Sequence, residues 1–366
     1  MCSTVFGTSF VLFFVHAKKK AMKRKDAEMI YDCFTFFNEL DVLEIRLNVL
    51  KNVVDKFVLV EAGETHTGKK KPYHFKENKG RFAEFLDRII YVGIESFPKG
   101  HDAWGNENYQ RNEIMRGLEG VRDDDVILIS DLDEIPRPEV IEALSKKGGV
   151  WRFNHVMFGF YLNMKDLRCR NMCGTKMLSY RDLRTGFDDS ETHYDEFLPK
   201  ELNVGTTVTK IRRRIFPRRR GGERLVKNAG WHFTCLGGAA AVLTKMRAVA
   251  PHHDFDPDDP DLTAEGIENL IAKGQGPALK MNCFGVMIDE SFPKYVRDNQ
   301  DRYRSLIFPI SKEYLRRVRF ARLFRTVQGR LIQFCEWVMP SRVHDFLHVV
   351  RMRFLALKSI CRTTHA

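Results

Sequence analysis

Three acidic residues follow a short apolar segment in the run VILISDLDEIPRP, which spans residues 126–138. Asp131 and Asp133 are two positions apart, so in an extended chain their side chains point the same way and can face one ligand. With Glu134 they form a cluster of carboxylates whose mutual repulsion a cation would relieve. A divalent cation takes oxygen ligands and neutralises charge on a departing nucleotide diphosphate. The spacing therefore predicts that Asp131 and Asp133 hold a divalent metal.

Two other interpretations of this acidic run stay open. Carboxylates suit the positive end of a helix, so the cluster could cap a helix that begins near Pro138. The same geometry would also serve a metal-dependent phosphohydrolase, which attacks phosphorus with an activated water. The local pattern alone does not separate group transfer from a nucleotide diphosphate from the hydrolysis of a phosphate ester.

The chain before the acidic run alternates strands with helical segments. The continuous apolar run at 126–130 is typical of a strand that is buried on both faces of a parallel sheet. This alternation predicts βαβ units and an open, mostly parallel sheet, which binds ligands at the carboxyl ends of its strands. The acidic run follows such an end. The expected strands are 31–37, 57–60, 89–94 and 126–130, with helices near 40–54, 81–87 and 108–118.

The rest of the chain divides by composition. Residues 150–235 are rich in β-forming aromatic segments and could recognise an acceptor. We expect three parts: a short apolar segment and basic stretch at 1–29 that could be an anchor or linker, a catalytic domain at 30–305, and a basic amphipathic helical extension at 306–366. The apolar segment 5–17 is shorter than the roughly 20 residues that span a bilayer.

The positive charge lies at the two ends of the chain. The net charge is +12, but residues 311–366 hold 12 Lys and Arg against 3 acidic residues, and residues 1–25 hold 6 against none. The body between them is therefore slightly acidic, which argues against a nucleic-acid groove and suggests that the tails meet an anionic membrane surface. The eight cysteines form no zinc-ligand pattern.

Several motifs around the acidic run occur in an order that resembles glycosyltransferase family 17. The resemblance covers roughly residues 30–300 and implies a GT-A type fold with a mostly parallel central sheet and a β-rich acceptor half. It also implies a Mn²⁺ cofactor and an inverting reaction. In that reaction N-acetylglucosamine is transferred from UDP-GlcNAc to a mannose of an N-glycan in β-1,4 linkage. The implied location is the Golgi membrane, with the catalytic domain in the lumen. The motifs are YDCFTFFNELDVLEIRLNVLKNVVDKFVLVEA, THTGKKKP, ENKGRF, ENYQRN, ISDLDEIPRP, GTK, NAGWHF and FPKYV.

Donor-binding candidates lie near the carboxyl ends of the first strands. Asn38 and Glu39 follow the first strand and Glu61 ends the second, so all three could touch the base or ribose. Gln110 and Arg111 stand early on a helix, and Arg111 could pair with diphosphate oxygens through its bidentate fork. Loop capping and a surface ion pair are the alternatives for these residues.

The remaining candidates concern the base, the acceptor and the third metal ligand. Inversion in one displacement needs a base for the acceptor hydroxyl, and Glu134 and Asp254 are the candidates. Trp231 could stack on an acceptor sugar and His232 could complete the metal shell, although core packing is the alternative for both. His252 and His253 are a second choice of metal ligand, and the arginines of 212–220 could contact a nucleotide or an acidic glycan.

Overall fold

The computed structural model describes residues 28–166, 174–185, 208, 223–248, 263–272, 281–312 and 314. The chain divides into two units, Met1–Phe308 and Pro309–Ala366, and all the elements named below lie in the first. The predicted anchor segment, the Arg-rich stretch at 212–220, His252, His253, Asp254 and nearly all of the C-terminal extension lie outside the described residues.

The first half forms the parallel part of a mixed sheet. Strand β1 lies between β2 and β4 and pairs in parallel with both, and β3 pairs in parallel with β2. The connecting helices are α1, α2 and α3, and two of the connections also contain 3₁₀ segments. Their bounds are β1 Ile30–Phe36, α1 Leu40–Leu50, β2 Lys56–Ala62, α2 His74–Asn78 with 3₁₀ Lys79–Phe85, β3 Ile89–Ile94, α3 Ala103–Asn112 with 3₁₀ Glu113–Leu118, and β4 Val126–Asp131.

The parallel half is buried on both faces, as the apolar run of β4 predicts. Alternate residues of β1 enter different apolar clusters: Phe34 packs with α1, whereas Cys33 packs with the 3₁₀ turn after α3. A strand covered on both faces reads as a continuous apolar run, because no side chain on it reaches water. The α/β class is therefore confirmed.

The second half is mainly antiparallel. Beside β4 the sheet continues through β8, β6, β7 and β10, and β9 pairs with β6 and β5. Of these pairings only that of β6 with β9 is parallel. The bounds are β5 Glu134–Pro136, α4 Pro138–Leu144, β6 Trp151–Gly159, β7 Met164–Asp166, β8 Lys176–Ser179, α5 Tyr180–Thr185, β9 Arg224–Thr234, α6 Gly238–Ala248, α7 Ala264–Ala272, β10 Cys283–Gly285 and α8 Lys294–Asp298.

Some predicted elements differ in type or extent. The segment 81–87 forms 3₁₀ turns, and the helix expected at 108–118 begins earlier, at Ala103, where Asp102 caps it by accepting a hydrogen bond from the Gly105 amide. Among the described helices, none is long and apolar enough to cross a membrane.

Candidate active site at the carboxyl ends of the parallel strands

The acidic run forms a tight turn between β4 and β5. Asp131 ends β4 at the carboxyl edge of the parallel strands, and Glu134 already begins β5. Strand β5 pairs with β9 so that Glu134 lies opposite His232, and the Phe233 amide donates to the carbonyl of Asp133 at 2.8 Å. The sheet thus brings His232 to the acidic turn, although it lies far along the chain.

Asp133 is buried and already paired with cationic or imidazole groups. Lys245 Nζ lies 2.9 Å from Asp133 Oδ2, and His232 Nε2 lies 3.4 Å from Asp133 Oδ1. Burial alone would raise the pKa of Asp133, but the attraction of Lys245 and His232 outweighs it and holds this pKa well below its usual range. The pKa of His232, which burial alone would lower, is raised by Asp133. Asp133 is therefore an anion in this site.

Lys245 joins the acidic turn to the end of β1. Its Nζ also lies 3.1 Å from Glu39 Oε1, so one ammonium bridges Glu39 and Asp133. Burial would lower the pKa of Lys245, but these two carboxylates outweigh it and raise the pKa well above its ordinary value. The ammonium lines a cavity of about 200 Å³ beside the turn. The cavity is lined by Asn38, Glu39, Val42, Phe233, Cys235, Leu236, Ala240, Ala241, Thr244 and Lys245.

Asp131 is the accessible carboxylate of the turn. Its side chain is 40% exposed, and its Oδ1 accepts a hydrogen bond from Arg111 Nη2 at 3.0 Å. The same Arg111 nitrogen lies 2.9 Å from Glu107 Oε1, one helical turn back on α3. The sequence prediction placed Arg111 near the donor diphosphate, and the structure does bring its guanidinium to the acidic turn.

Gln110 holds α3 against the strand ends. Its Nε2 donates to the carbonyls of Val60 at 2.9 Å and Phe36 at 3.3 Å, so its Oε1 is the atom that faces His66 Nε2 at 2.8 Å. Since Oε1 can only accept, His66 carries its proton on Nε2. Burial lowers the pKa of His66, which favours the neutral imidazole. The sequence prediction missed His66, because a lone histidine in a Gly- and Lys-rich loop gives no signal.

Glu61 makes buried contacts that stabilise the fold. Its side chain is fully buried, and its oxygens accept hydrogen bonds from the Phe75 amide at 3.0 Å and the Tyr91 hydroxyl at 3.2 Å. Lys71 Nζ lies 3.7 Å away. Burial raises the pKa of Glu61, and these partners only partly offset that effect. Glu61 therefore anchors the start of α2, and these contacts favour a structural role over the predicted contact with the donor.

Glu134 and Trp231 are also more buried than their predicted roles require. Glu134 Oε2 accepts the Asp131 amide at 3.1 Å, which closes the turn. At the N-terminus of α4 the described residues form no side-chain cap, so this contact is not the helix cap offered as the alternative. Trp231 is 3% exposed, its indole N–H donates to the Ser291 carbonyl at 2.8 Å, and the guanidinium of Arg137 lies 4.2 Å from the ring centroid. The ring leaves no face open for an acceptor sugar, so the stacking prediction is corrected to core packing.

The side chains at the turn are of types that bind a divalent cation, but in this arrangement their carboxylates are paired with Arg111 and Lys245. Carboxylate oxygens are ligands that suit both Mn²⁺ and Mg²⁺, whereas an imidazole nitrogen suits a transition-metal ion such as Mn²⁺ better than Mg²⁺. In the part of the chain that the structure describes, no three acidic, His or Cys side chains are gathered closely enough to hold a metal. Metal binding would require Asp133 to exchange Lys245 for the metal.

Comparison with known proteins finds one family that is similar to the N-terminal part of the chain. The model of glycosyltransferase family 17 matches residues 14–185. The β-1,4-mannosyl-glycoprotein 4-β-N-acetylglucosaminyltransferases of Rattus norvegicus and Homo sapiens are each 28% identical over 157 residues, which is 39% of this chain. The match spans only 29% of the rat protein and 30% of the human protein.

A solved structure is also similar to the chain. It is the mannosyltransferase PcManGT from Pyrobaculum calidifontis in complex with GDP-Man and Mn²⁺, with 13% identity and a TM-score of 0.32 over 71% of this chain and 77% of that one. The matched family region contains Asp131, Asp133 and Arg111, whereas His232 and Lys245 come from the chain beyond it. Residues 14–185 of this chain are therefore similar to glycosyltransferase family 17.

Proposed function

We propose that the chain is an inverting glycosyltransferase that moves N-acetylglucosamine from UDP-GlcNAc to a mannose residue of an N-glycan in β-1,4 linkage. The observation that carries the proposal is the acidic turn at the carboxyl end of β4, with Arg111 at Asp131 and Lys245 at Asp133. The family match and the names of the similar rat and human proteins support the choice of sugar and acceptor.

The charges at the turn suit a nucleotide diphosphate. Cleavage of the bond between sugar and diphosphate leaves negative charge on the leaving group, and cations placed beforehand at that point lower the barrier. Arg111 presents a planar fork that can bind phosphate oxygens, and Lys245 presents a point charge at the edge of a cavity. Both side chains are held by carboxylates, which keeps them in place before the donor arrives.

We further propose that Asp131 and Asp133 bind a divalent cation, Mn²⁺ being the preferred ion, with His232 as a further ligand. When bound, the ion would supply Lewis-acid stabilisation of the diphosphate. The proposal also includes contact of Asn38 and Glu39 with the donor, and both residues line the cavity beside the end of β1. Because Glu134 closes the turn from a buried position, Asp254 is the candidate base for the acceptor hydroxyl.

The cell location is part of the same proposal. The names of the relatives concern glycoprotein acceptors, which suggests a Golgi membrane protein with a lumenal catalytic domain. The basic terminal segments are the parts proposed to meet the membrane. Protease protection of the full chain in sealed vesicles tests this assignment, and digestion without detergent would contradict it.

The decisive experiment measures transfer and hydrolysis together. The full chain is incubated with UDP-GlcNAc, other UDP-sugars or GDP-mannose, with and without Mn²⁺, and with a mannosyl oligosaccharide acceptor. We expect UDP release that depends on both the acceptor and Mn²⁺, with a product one N-acetylhexosamine heavier by mass spectrometry. Asp133→Asn should lower transfer by about 10²-fold or more, the scale seen when a main electrostatic stabiliser is removed. Phosphate release from small phosphate esters without sugar transfer would identify a phosphohydrolase instead.

A further inference from the structure

Arg46 is a fully buried arginine on α1 that reaches the acidic turn. Its side chain has no exposed surface, and its guanidinium lies under the end of β4. The Nη1 atom donates to three backbone carbonyls, those of Asp131, Leu132 and Glu134, each at 2.9 Å. One nitrogen atom therefore binds the backbone on both sides of Asp133.

The other nitrogens of Arg46 are bound to the strands beneath the turn. Nε and Nη2 donate to the two carboxylate oxygens of Asp32 at 2.7 and 2.6 Å, and Nη2 also donates to Ser130 Oγ at 2.5 Å. The guanidinium carbon lies 4.6 Å from the ring centroid of Phe34. All three nitrogens thus have acceptors, so the guanidinium is held in one orientation by β1 and β4.

We infer that Arg46 is a positioning residue: it fixes the curvature of residues 131–134 and thereby the placement of the Asp131 and Asp133 carboxylates. Only a planar fork with five N–H groups can bind Asp32 on one side and the turn carbonyls on the other. A lysine keeps the charge opposite Asp32 but has one nitrogen for the whole set of acceptors. This inference rests on the proposed function, since it assigns Arg46 a purpose in sugar transfer.

The test separates positioning from stability. Arg46→Lys keeps a cation opposite Asp32, and Glu44→Gln is its control, because Glu44 lies on the same helix and binds Arg81, Arg302 and Tyr295 without touching the turn. We expect kcat per folded molecule to fall by about 10²-fold for Arg46→Lys, the scale of a misplaced catalytic group. Hydrogen exchange of the peptide 131–136 should rise in Arg46→Lys and stay unchanged in Glu44→Gln.

A second variant covers the case in which Arg46→Lys does not fold. The double substitution Asp32→Leu with Arg46→Met removes the ion pair without leaving one charge buried alone, an exchange that proteins often tolerate. We expect it to fold, to exchange hydrogen faster at 131–136 and to transfer sugar about 10²-fold more slowly. Wild-type kcat and wild-type exchange in either folded variant would overturn the inference. If the wild-type chain transfers no sugar, the proposed function fails, whereas the exchange measurement still tests the role of Arg46.

Discussion

Lys245 and Asp133 form an ion pair of 2.9 Å at the point where the sequence predicts a metal. The two residues are 112 positions apart in the chain, and a helix after β9 delivers the ammonium to a turn that follows β4. A second carboxylate, Glu39, lies 3.1 Å from the same ammonium. The site therefore contains a cation of the chain itself where a divalent ion would bind.

Replacement of Lys245 should strengthen metal binding. In Lys245→Met, Asp133 and Glu39 lose their common counter-charge, so a divalent cation no longer competes with the ammonium for Asp133. We expect Mn²⁺ to bind at least several-fold more tightly by titration calorimetry. Without metal, unfolding should cost on the order of 3 kcal/mol less, because the buried Asp133 carboxylate loses its ammonium partner and keeps only His232. Saturating Mn²⁺ should recover part of this loss.

Thr244→Ala is the matched control for Lys245→Met. Thr244 is the preceding residue on α6, is exposed and donates to the Ala240 carbonyl within the same helix. Its loss should change neither Mn²⁺ affinity nor the metal dependence of unfolding. Equal Mn²⁺ affinity in the wild type, Lys245→Met and Asp133→Asn would contradict the metal site at this turn.

Asp131→Asn should lower transferase activity while leaving the stability of the fold almost unchanged. Asp131 is 40% exposed and its ion pair with Arg111 is partly solvated, so the substitution should change the free energy of unfolding by less than about 1 kcal/mol. Transfer should nevertheless fall by about 10²-fold or more, because the accessible carboxylate of the turn is lost. Thermal unfolding and initial rates of UDP release measure the two effects. Asp123→Asn, which weakens exposed ion pairs with Arg184 and Arg181, should leave both values unchanged.

The acidic turn can be predicted from the sequence because the residues that indicate it are neighbours in the chain. A continuous apolar run predicts a strand buried on both faces, and carboxylates just after it must lie at the carboxyl edge of the sheet. The role of Lys245 cannot be predicted from the sequence, because nothing in the helix GAAAVLTKMRA indicates that its lysine pairs with Asp133. Arg46 was missed for the same reason: a charged residue among apolar ones on a helix is expected to be solvated, and only Asp32 and the turn carbonyls explain its burial.

The buried carboxylate of Glu44 should make the free energy of unfolding depend on pH in the acidic range. Burial alone would raise the pKa of Glu44, but hydrogen bonds from Arg81, Arg302 and Tyr295 outweigh it, so its pKa is lowered in the folded chain. A carboxyl whose folded pKa lies below its unfolded value of about 4.3 contributes its full stabilisation above that pH. The contribution is lost as the pH falls through the folded pKa.

Glu44→Gln should therefore flatten the acid limb of the stability curve. Urea unfolding between pH 7 and pH 3 should show a steeper loss in the wild type than in the variant below about pH 4.5. Glu84→Gln is the control, since that side chain is exposed and makes only a 3.7 Å contact with Lys51. Parallel curves for the wild type and Glu44→Gln would mean that this cluster does not govern the acid response.

Trp231→Phe should lower stability without a matching loss of transfer. The phenyl ring keeps most of the apolar volume but cannot donate to the Ser291 carbonyl, and it gives Arg137 a smaller ring to cover. We expect the free energy of unfolding to fall by about 1–3 kcal/mol, the cost of a buried acceptor left without its donor. Because the indole is buried, KM for the mannosyl acceptor and kcat per folded molecule should stay within about twofold of the wild type. A large rise in that KM, with unfolding unchanged, would restore the sugar-stacking role and require this part of the core to open when the acceptor binds.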